Sequence, residues 1–423
     1  MAASVWAQPA TPKPHPEPRP PAAKADRTLL ALTPVDTVWG LALNNALTTP
    51  PAFDGTLAFF PIEGNRLVAY DLIAGTQKWI VTATPVIQPV AGDGLLFVME
   101  QGTLKALHVA DGSKAWEIPF NEKLAVHPVW DNGWLILAAA SGEVRALRAT
   151  DGHLIWSRDL KSPANAPPAL AADRVYVPTT DGRIVALRVD DGGPIWERRL
   201  GGAPNDILAL DHRLYAGSQD NFFYCVMADD GRVDWKQRTG GDVIGKPVAD
   251  ERLVYFVSLD NVLRAMNLVT GGQQWMRPLP MRPAWGPVKA GSTLVVAGQT
   301  APLRAFNAKD GIATGPLTGV MPPDPPADAP PAAASAERAV EKKAPAPLAA
   351  LAADAPVAAA PYVLEHPVTH VPLALLLFRD IAKGASATLL VRSVEPALIP
   401  SVAALPNLVQ IAPVTPTTPP PRN

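Results

Sequence analysis

The sequence predicts an all-β protein, a β-propeller of seven four-stranded blades, or of eight, closed by an N-terminal strand. The prediction rests on a tryptophan that recurs about every 40 residues, a turn phrase that precedes it, and runs of alternating apolar residues between the turns. The recurring tryptophans are Trp39, Trp79, Trp116, Trp156, Trp196, Trp235 and Trp275. One repeat cannot bury its own faces, so neighbouring copies must pack side by side around an axis.

The turn phrase predicts hairpins rather than helices. It reads "LKALHVADGSKAW" at 104–116 and "VRALRATDGHLIW" at 144–156, and Asp-Gly between apolar residues is a strong hairpin signal because glycine accepts positive φ. The phrase occurs in six full copies, and a seventh at 303–315 has Gly315 in place of the tryptophan. Its turn glycines are Gly75, Gly112, Gly152, Gly192, Gly231, Gly271 and Gly311.

The lone cysteine fits the repeat as a structural residue. It occupies a position that holds alanine in the other copies, at Ala69, Ala106, Ala146, Ala186, Ala265 and Ala305. Cys225 is therefore interpreted as a small buried hydrophobe and not as a nucleophile. With one cysteine in the chain, neither an intramolecular disulfide nor a multi-cysteine metal site can form.

Trp39 predicts how the ring closes. It belongs to "DTVWGLAL", which has the form of a last strand without the blade that should precede it. If this strand completes the copy at 284–313, the ring has seven blades. If the segment 373–398 forms a hairpin with its turn at residues 383–386, an eighth blade becomes available.

The flanks of the propeller (31–318) are rich in proline and alanine. Residues 1–30 are interpreted as a Pro-rich leader that starts with the remnant of a secretory signal, because Val5-Trp6-Ala7 resembles a cleavage site; a cytosolic leader is the alternative. Residues 319–361 are predicted to form a disordered linker, 362–411 a β-hairpin segment, and 412–423 a disordered tail.

Composition limits the classes of partner. The 37 basic and 39 acidic residues give a net charge of -2, which provides no electrostatic reason to expect nucleic acid or an anionic membrane. The apolar run at 371–378 is too short to cross a bilayer. We expect protein partners, no cofactor, no metal, no transmembrane segment and a monomeric chain.

The repeated phrase resembles the tryptophan-docking motif of the pyrroloquinoline-quinone-like (PQQ-like) propeller repeat over residues 36 to about 315. It is unlike WD40 repeats, because no Trp-Asp pair recurs. The resemblance implies that each tryptophan packs between neighbouring blades while the glycine permits the turn. These residues are therefore expected to be structural, with no catalytic, cofactor-binding or metal-binding residue assigned.

Three functions follow from the resemblance. A non-enzymatic scaffold that binds proteins in the cell envelope, as the outer-membrane assembly propellers of this family do, is the favoured hypothesis. A quinone-dependent dehydrogenase is disfavoured, because such relatives commonly carry an adjacent-cysteine disulfide that this chain cannot form. A sensor or carbohydrate-binding propeller is the third hypothesis.

Histidines and aromatic residues outside the repeat are further candidates for a metal site or a partner interface. Glu365, His366 and His370 in "EHPVTH" could bind a metal on a helix, but Pro367 argues against a helix. The other histidines (His15, His108, His127, His153 and His212) are interpreted as surface or turn residues. Aromatic residues outside the repeat register are candidates for a partner interface or, equally, for the core: Trp130, Trp134, Phe222, Phe223 and Trp285.

Overall fold

The computed structural model describes residues 30–33, 35–43, 45–298, 303–316, 357–380 and 384–391. These residues form eight antiparallel four-stranded sheets, and no helix occurs among them. The fold is an all-β propeller, as predicted. Outside the described residues lie the predicted leader up to residue 29, residues 319–356 of the predicted linker, and the predicted tail.

Each sheet forms one blade, and its strands pair in chain order in the first seven blades. Blades 1 to 4 contain β2 (Ala52–Asp54), β3 (Leu57–Ile62), β4 (Arg66–Asp71) and β5 (Thr76–Thr82); β6 (Val90–Gly92), β7 (Leu95–Glu100), β8 (Thr103–His108) and β9 (Lys114–Pro119); β10 (Val129–Asp131), β11 (Trp134–Ala138), β12 (Glu143–Arg148) and β13 (Leu154–Asp159); β14 (Ala169–Ala171), β15 (Arg174–Pro178), β16 (Arg183–Arg188) and β17 (Pro194–Arg199).

Blades 5 to 8 contain β18 (Pro204–Leu210), β19 (Arg213–Ser218), β20 (Phe222–Met227) and β21 (Val233–Arg238); β22 (Val243–Ala249), β23 (Leu253–Ser258), β24 (Val262–Asn267) and β25 (Gln273–Pro278); β26 (Val288–Ala290), β27 (Thr293–Val296), β28 (Arg304–Asn307) and β29 (Ala313–Pro316); β30 (Tyr362–Glu365), β31 (Pro372–Asp380), β32 (Gly384–Val391) and β1 (Asp36–Ala42). The first strands of adjacent blades contact one another from β2 through β6 to β10 and from β14 through β18, β22 and β26 to β30, so they surround the axis of the ring.

The N-terminal strand completes the eighth blade. β1 pairs antiparallel with β32, and Trp39 lies opposite Leu389. The seven-blade alternative is wrong, because the copy at 284–313 has a fourth strand of its own, β29, with Gly315 opposite Ala305. The expected hairpin of β31 and β32 is present, with Asp380 paired with Gly384. Gly384, which was expected in the turn, is the first residue of β32, and residues 381–383 lie outside the described residues.

The core consists of eight clusters of buried side chains, and each cluster joins two consecutive blades. The cluster between blades 8 and 1 includes Trp39, Phe60 and Leu375, and the one between blades 7 and 8 includes Val295 and Leu376. Apolar burial is therefore continuous around the whole ring, and both chain ends contribute to the closing interfaces.

The recurring tryptophans lie at the junctions between blades. Each indole N–H donates a hydrogen bond to a backbone carbonyl in the turn before the last strand of the next blade. For example, Trp156 reaches the Val189 carbonyl at 2.6 Å. The remaining pairs are Trp39–Leu72 (2.8 Å), Trp79–Val109 (2.8 Å), Trp116–Ala149 (2.9 Å), Trp196–Ala228 (2.8 Å), Trp235–Leu268 (3.2 Å) and Trp275–Ala308 (3.1 Å).

The turn glycine of the next blade lies under the indole ring. A Cβ at Gly192 would come 2.6 Å from the Trp156 ring, and one at Gly231 would come 2.5 Å from the Trp196 ring. All seven turn glycines have positive φ. The glycine therefore meets two requirements, a left-handed turn and room for an aromatic ring.

In five of the seven repeats the small residue lies between two aromatic rings; the exceptions are Ala146, opposite Ile136 and Trp156, and Ala305, opposite Val295 and Gly315. Ala186 on β16 pairs with Tyr176 on one side and Trp196 on the other, and the two rings are 5.9 Å apart. Cys225 has the same position between Tyr215 and Trp235. A small side chain in the middle strand lets the flanking rings meet above it, which explains the recurring alanine.

Arginines add a second connection at three junctions. In these repeats the second residue after the tryptophan donates from its Nε atom to the carbonyl of the next blade's turn glycine. The pairs are Arg158–Gly192 (3.0 Å), Arg198–Gly231 (2.5 Å) and Arg277–Gly311 (3.2 Å). Each of these three turn glycines is thus contacted twice by the preceding blade, by the tryptophan ring and by the arginine side chain.

Replacing one junction tryptophan should strongly destabilise the protein. Trp156→Ala removes a buried ring and the hydrogen bond to Val189, and Trp196→Ala removes a half-buried ring and the hydrogen bond to Ala228. We expect each to lose about 3–5 kcal/mol of unfolding free energy, measured by thermal and urea denaturation. Trp156→Phe keeps a ring without the N–H donor and should lose less. An unchanged melting temperature in the alanine variants would contradict the packing role.

The effect of the contact between a turn glycine and the tryptophan ring can be measured separately from the effect of the glycine's positive φ. Gly192 and Gly94 have similar positive φ values, 67° and 74°, but a Cβ at Gly94 would have no heavy atom within 4 Å. Gly192→Ala should therefore destabilise the fold by about 1–3 kcal/mol more than Gly94→Ala, because only the former overpacks the Trp156 ring. Equal losses in urea denaturation would show that the turn alone requires glycine.

Candidate functional site

Residues just before the first strands of blades 3 and 4, and within the first strands of blades 5 and 6, line an open pocket of about 370 Å³. Its polar lining consists of His127, Asn165, Asn205 and Asp206, and Val126 and Ile244 contribute apolar walls. Because the first strands surround the axis, the pocket lies at one end of the ring beside its centre. Concave sites with apolar walls and a few converging polar groups are the usual places where proteins bind ligands.

Two asparagines connect the blades at the pocket. The Asn165 amide nitrogen donates to the Pro204 carbonyl at 2.9 Å and to Asn205 Oδ1 at 3.1 Å. The Asn205 amide nitrogen donates in turn to the Val243 carbonyl at 2.5 Å. These bonds hold three consecutive blades together, so the pocket wall is fixed before any ligand arrives.

Backbone packing fixes the far side of the pocket. Gly245 has φ +64, and a Cβ there would come 2.1 Å from the backbone nitrogen of Gly286 in the next blade's entering segment. Only glycine permits this approach, because any side chain would push the two segments apart.

Asp206 is the acidic group of the pocket. Its side chain is half-buried, and burial raises the pKa of its carboxyl above the ordinary value. The charges of His127 and Lys246 act in the opposite direction but do not outweigh the burial. Within the described part of the chain, no cation forms an ion pair with this carboxylate. A poorly solvated carboxylate is a favourable site for a positively charged hydrogen-bond donor.

The sequence-predicted structural residues lie away from this pocket, at the blade junctions described above. Cys225 is buried in the core, and burial raises the pKa of its thiol to about 12. This confirms its interpretation as a buried substitute for alanine. Among the single histidines, His127 lines the pocket. His15 lies outside the described residues.

The segment 365–370 forms the turn between β30 and β31. The ring nitrogen Nδ1 of His366 accepts hydrogen bonds from the backbone N–H groups of Val368 (3.3 Å) and Thr369 (3.2 Å), and His370 Nδ1 lies 3.6 Å from the Glu365 carboxylate. Burial and the nearby His370 lower the pKa of His366. The described residues contain no group of three or more side chains placed to hold a metal ion.

The five extra aromatics divide into core and half-buried residues. Trp134 and Phe223 are buried core residues, so the interface hypothesis is wrong for them. Trp130 packs directly on Gly92, where a Cβ would come 2.2 Å from its ring, and Phe222 lies under Lys236 Nζ at 4.6 Å. Trp285 packs against the cluster between blades 7 and 8.

The sequence analysis missed Asn165, Asn205 and Asp206. A usable signal was present, since the two asparagines are 40 residues apart, at the same offset from the preceding tryptophans Trp156 and Trp196. These asparagines lie after the tryptophan, outside the turn phrase that defines the repeat.

The comparisons with known proteins agree with this architecture. A protein-family model described as "Outer membrane protein assembly factor BamB" matches residues 25–124, 100–209 and 206–315. No curated protein sequence matches the chain significantly. Within the described residues, no helix has the length and apolar character needed to span a membrane.

Two solved structures are similar in fold. The crystal structure of BamB from Moraxella catarrhalis is 19% identical, covers 85% of this chain and 98% of its own, and has a TM-score of 0.59. The computationally designed Ika8 protein is 12% identical, with 66% and 89% coverage and a TM-score of 0.59. The family model spans residues 25 to 315, more than half of the sequence, and the chain therefore belongs to the family described as outer membrane protein assembly factor BamB.

Proposed function

We propose that this protein is a non-enzymatic scaffold that binds other proteins during outer-membrane protein assembly. The observation that carries the proposal is the family match over residues 25–315, on a ring whose blades are closed by a strand from each end of the propeller. A closed ring of rigid blades presents its loops in fixed positions, which suits a surface that must recognise another protein.

The aspartates of the repeat have a structural role in the turns, which agrees with a non-enzymatic scaffold. Aspartates of the repeat accept hydrogen bonds from the backbone two residues later, as Asp151 does from His153 (3.0 Å) and Asp191 from Gly193 (2.7 Å). These carboxylates stabilise the turns and lie on separate blades. The tryptophans and turn glycines have the matching role at the junctions, where we propose that they dock each blade on the next.

The site of action that we propose is the periplasm. The family is named for outer-membrane assembly. The Val5-Trp6-Ala7 pattern followed by a Pro-rich stretch supports export, although those residues lie outside the described ones. Residues 319–361 would form the linker that joins blade 7 to the strands of blade 8.

The partner surface that we propose is the end of the ring that holds the pocket. Lys246 and Glu251 are both exposed; Lys246 lies in the irregular part of β22, next to the pocket residues Ile244 and Gly245, whereas Glu251 lies in the turn after the far end of that strand. They therefore report on the pocket and on the opposite end of the ring. A photo-crosslinking amino acid placed at Lys246 should capture outer-membrane β-barrel proteins or their assembly factors in the native host. The same amino acid at Glu251 should capture fewer of them.

The measurement is mass spectrometry of the tagged, crosslinked protein, with an empty-tag control. Recovery of assembly components from the Lys246 position supports the scaffold and its surface. Stronger recovery from the Glu251 position would keep the scaffold and move the surface to the other end. No recovery above the control from either position would contradict scaffolding.

A further inference from the structure

The pocket has unused hydrogen-bond acceptors. Both asparagines donate to backbone carbonyls of the following blade. A carbonyl can only accept a hydrogen bond, so turning either side-chain amide round would place its oxygen against the carbonyl oxygen. The orientation of both amides is therefore fixed, and their Oδ1 atoms are available to a ligand. Asn205 Oδ1 accepts one bond and has a second lone pair, and Asn165 Oδ1 accepts none from the described residues.

Asp206 gives this acceptor set a negative charge. Protein atoms surround its carboxylate on most sides, yet the side chain still opens into the pocket. His127 from blade 3 and Lys246 from blade 6 both act to lower the pKa of this carboxyl, but neither forms an ion pair with it in the described part of the chain. Lys246 is exposed, so its flexible side chain can move into solvent when a ligand enters.

The walls of the pocket are apolar next to this charge. Val126, Ala166 and Ile244 come from three different blades and line the open pocket together with the polar groups. A ligand with a hydrocarbon stem and a cationic tip would place the stem on these side chains and the tip on the carboxylate.

We propose that this pocket is the receptor for an arginine side chain of the partner protein, with its guanidinium paired to Asp206 and hydrogen-bonded to the asparagine oxygens. The proposal rests on the proposed scaffold function. Arginine fits better than lysine, because its planar fork offers five donors to several acceptors at once, whereas an ammonium is a strongly hydrated point charge.

The first test measures the arginine pocket without the partner. The full-length protein with labelled isoleucine methyl groups is titrated with the peptide acetyl-Ala-Arg-Ala-amide, and the Ile244 methyl resonance is followed by NMR. We expect a saturable shift. The neutral peptide with citrulline in place of arginine should bind about tenfold more weakly, because it lacks the charge that pairs with Asp206. The lysine peptide should also bind more weakly than the arginine peptide.

The second test uses the partner. Asp206→Asn is isosteric and removes the charge, so we expect about tenfold weaker binding of the arginine peptide and a similar loss of crosslinked assembly components from the Lys246 position. Asp242→Asn removes a carboxylate that precedes β22 and does not line the pocket, and it should change neither readout.

The fold of the variant is checked separately. Burial raises the pKa of Asp206, so its ionised form destabilises the folded state at neutral pH, and Asp206→Asn should melt at or above the wild-type temperature. If this variant melts lower, Asp206→Ala is used in its place.

The outcomes separate the two proposals. The receptor proposal stands only if the arginine peptide shifts Ile244 and the Asp206 variant loses both peptide and partner. It is overturned if the lysine or citrulline peptide binds as well as the arginine peptide. It is also overturned if the Asp206 variant and the wild type recover equal amounts of assembly components. If the wild type recovers no assembly component, the scaffold proposal itself fails.

Discussion

The hydrogen bond from each tryptophan indole to a carbonyl of the next blade is the interaction on which the rest of the structure depends. It fixes the distance and the angle between two blades at once, because the ring must also lie flat on the next blade's turn glycine. At the Trp156 junction, Arg158 adds a bond to the carbonyl of the same glycine. The ring has this bond at seven of its eight junctions, so its blades have little freedom to tilt and the inner loops of different blades keep a constant arrangement.

Ring closure follows from the same constraint. Blade 7 has a complete set of four strands, but Gly315 replaces the repeated tryptophan on its last strand; the interface after it is filled mainly by aliphatic side chains, with Trp285 packed against them. Blade 8 restores the repeated contact, since Trp39 on the N-terminal strand donates to Leu72 in blade 1. Because β1 and β30 to β32 form one sheet, the two ends of the propeller are tied together by backbone hydrogen bonds. The interface between blades 8 and 1 therefore has the same contact as the internal ones, whereas the interface between blades 7 and 8 does not.

The pocket shows how a repeat scaffold acquires a specific site. The repeated positions of the turn phrase are structural, whereas the segments entering the first strands vary from blade to blade and place His127, Asn165 and Asp206 side by side. Rigid blades support this variation, because the Asn205 bond to Val243 works only if blades 5 and 6 keep their spacing. Recognition chemistry can thus change without altering the packing that stabilises the ring.

The sequence by itself determined the all-β class, the blade repeat, the turn glycines, the buried role of Cys225 and the use of an N-terminal strand to close the ring. Each of these is encoded locally, in a phrase that recurs about every 40 residues. Tertiary structure decided the count of eight blades, because β1 pairs with β32 from the other end of the chain and no local pattern reveals that partner. It also decided the pocket, whose residues come from four consecutive blades and meet only when those blades pack side by side. A repeat specifies the contacts between neighbouring copies, while contacts among several copies depend on where the closed ring places them.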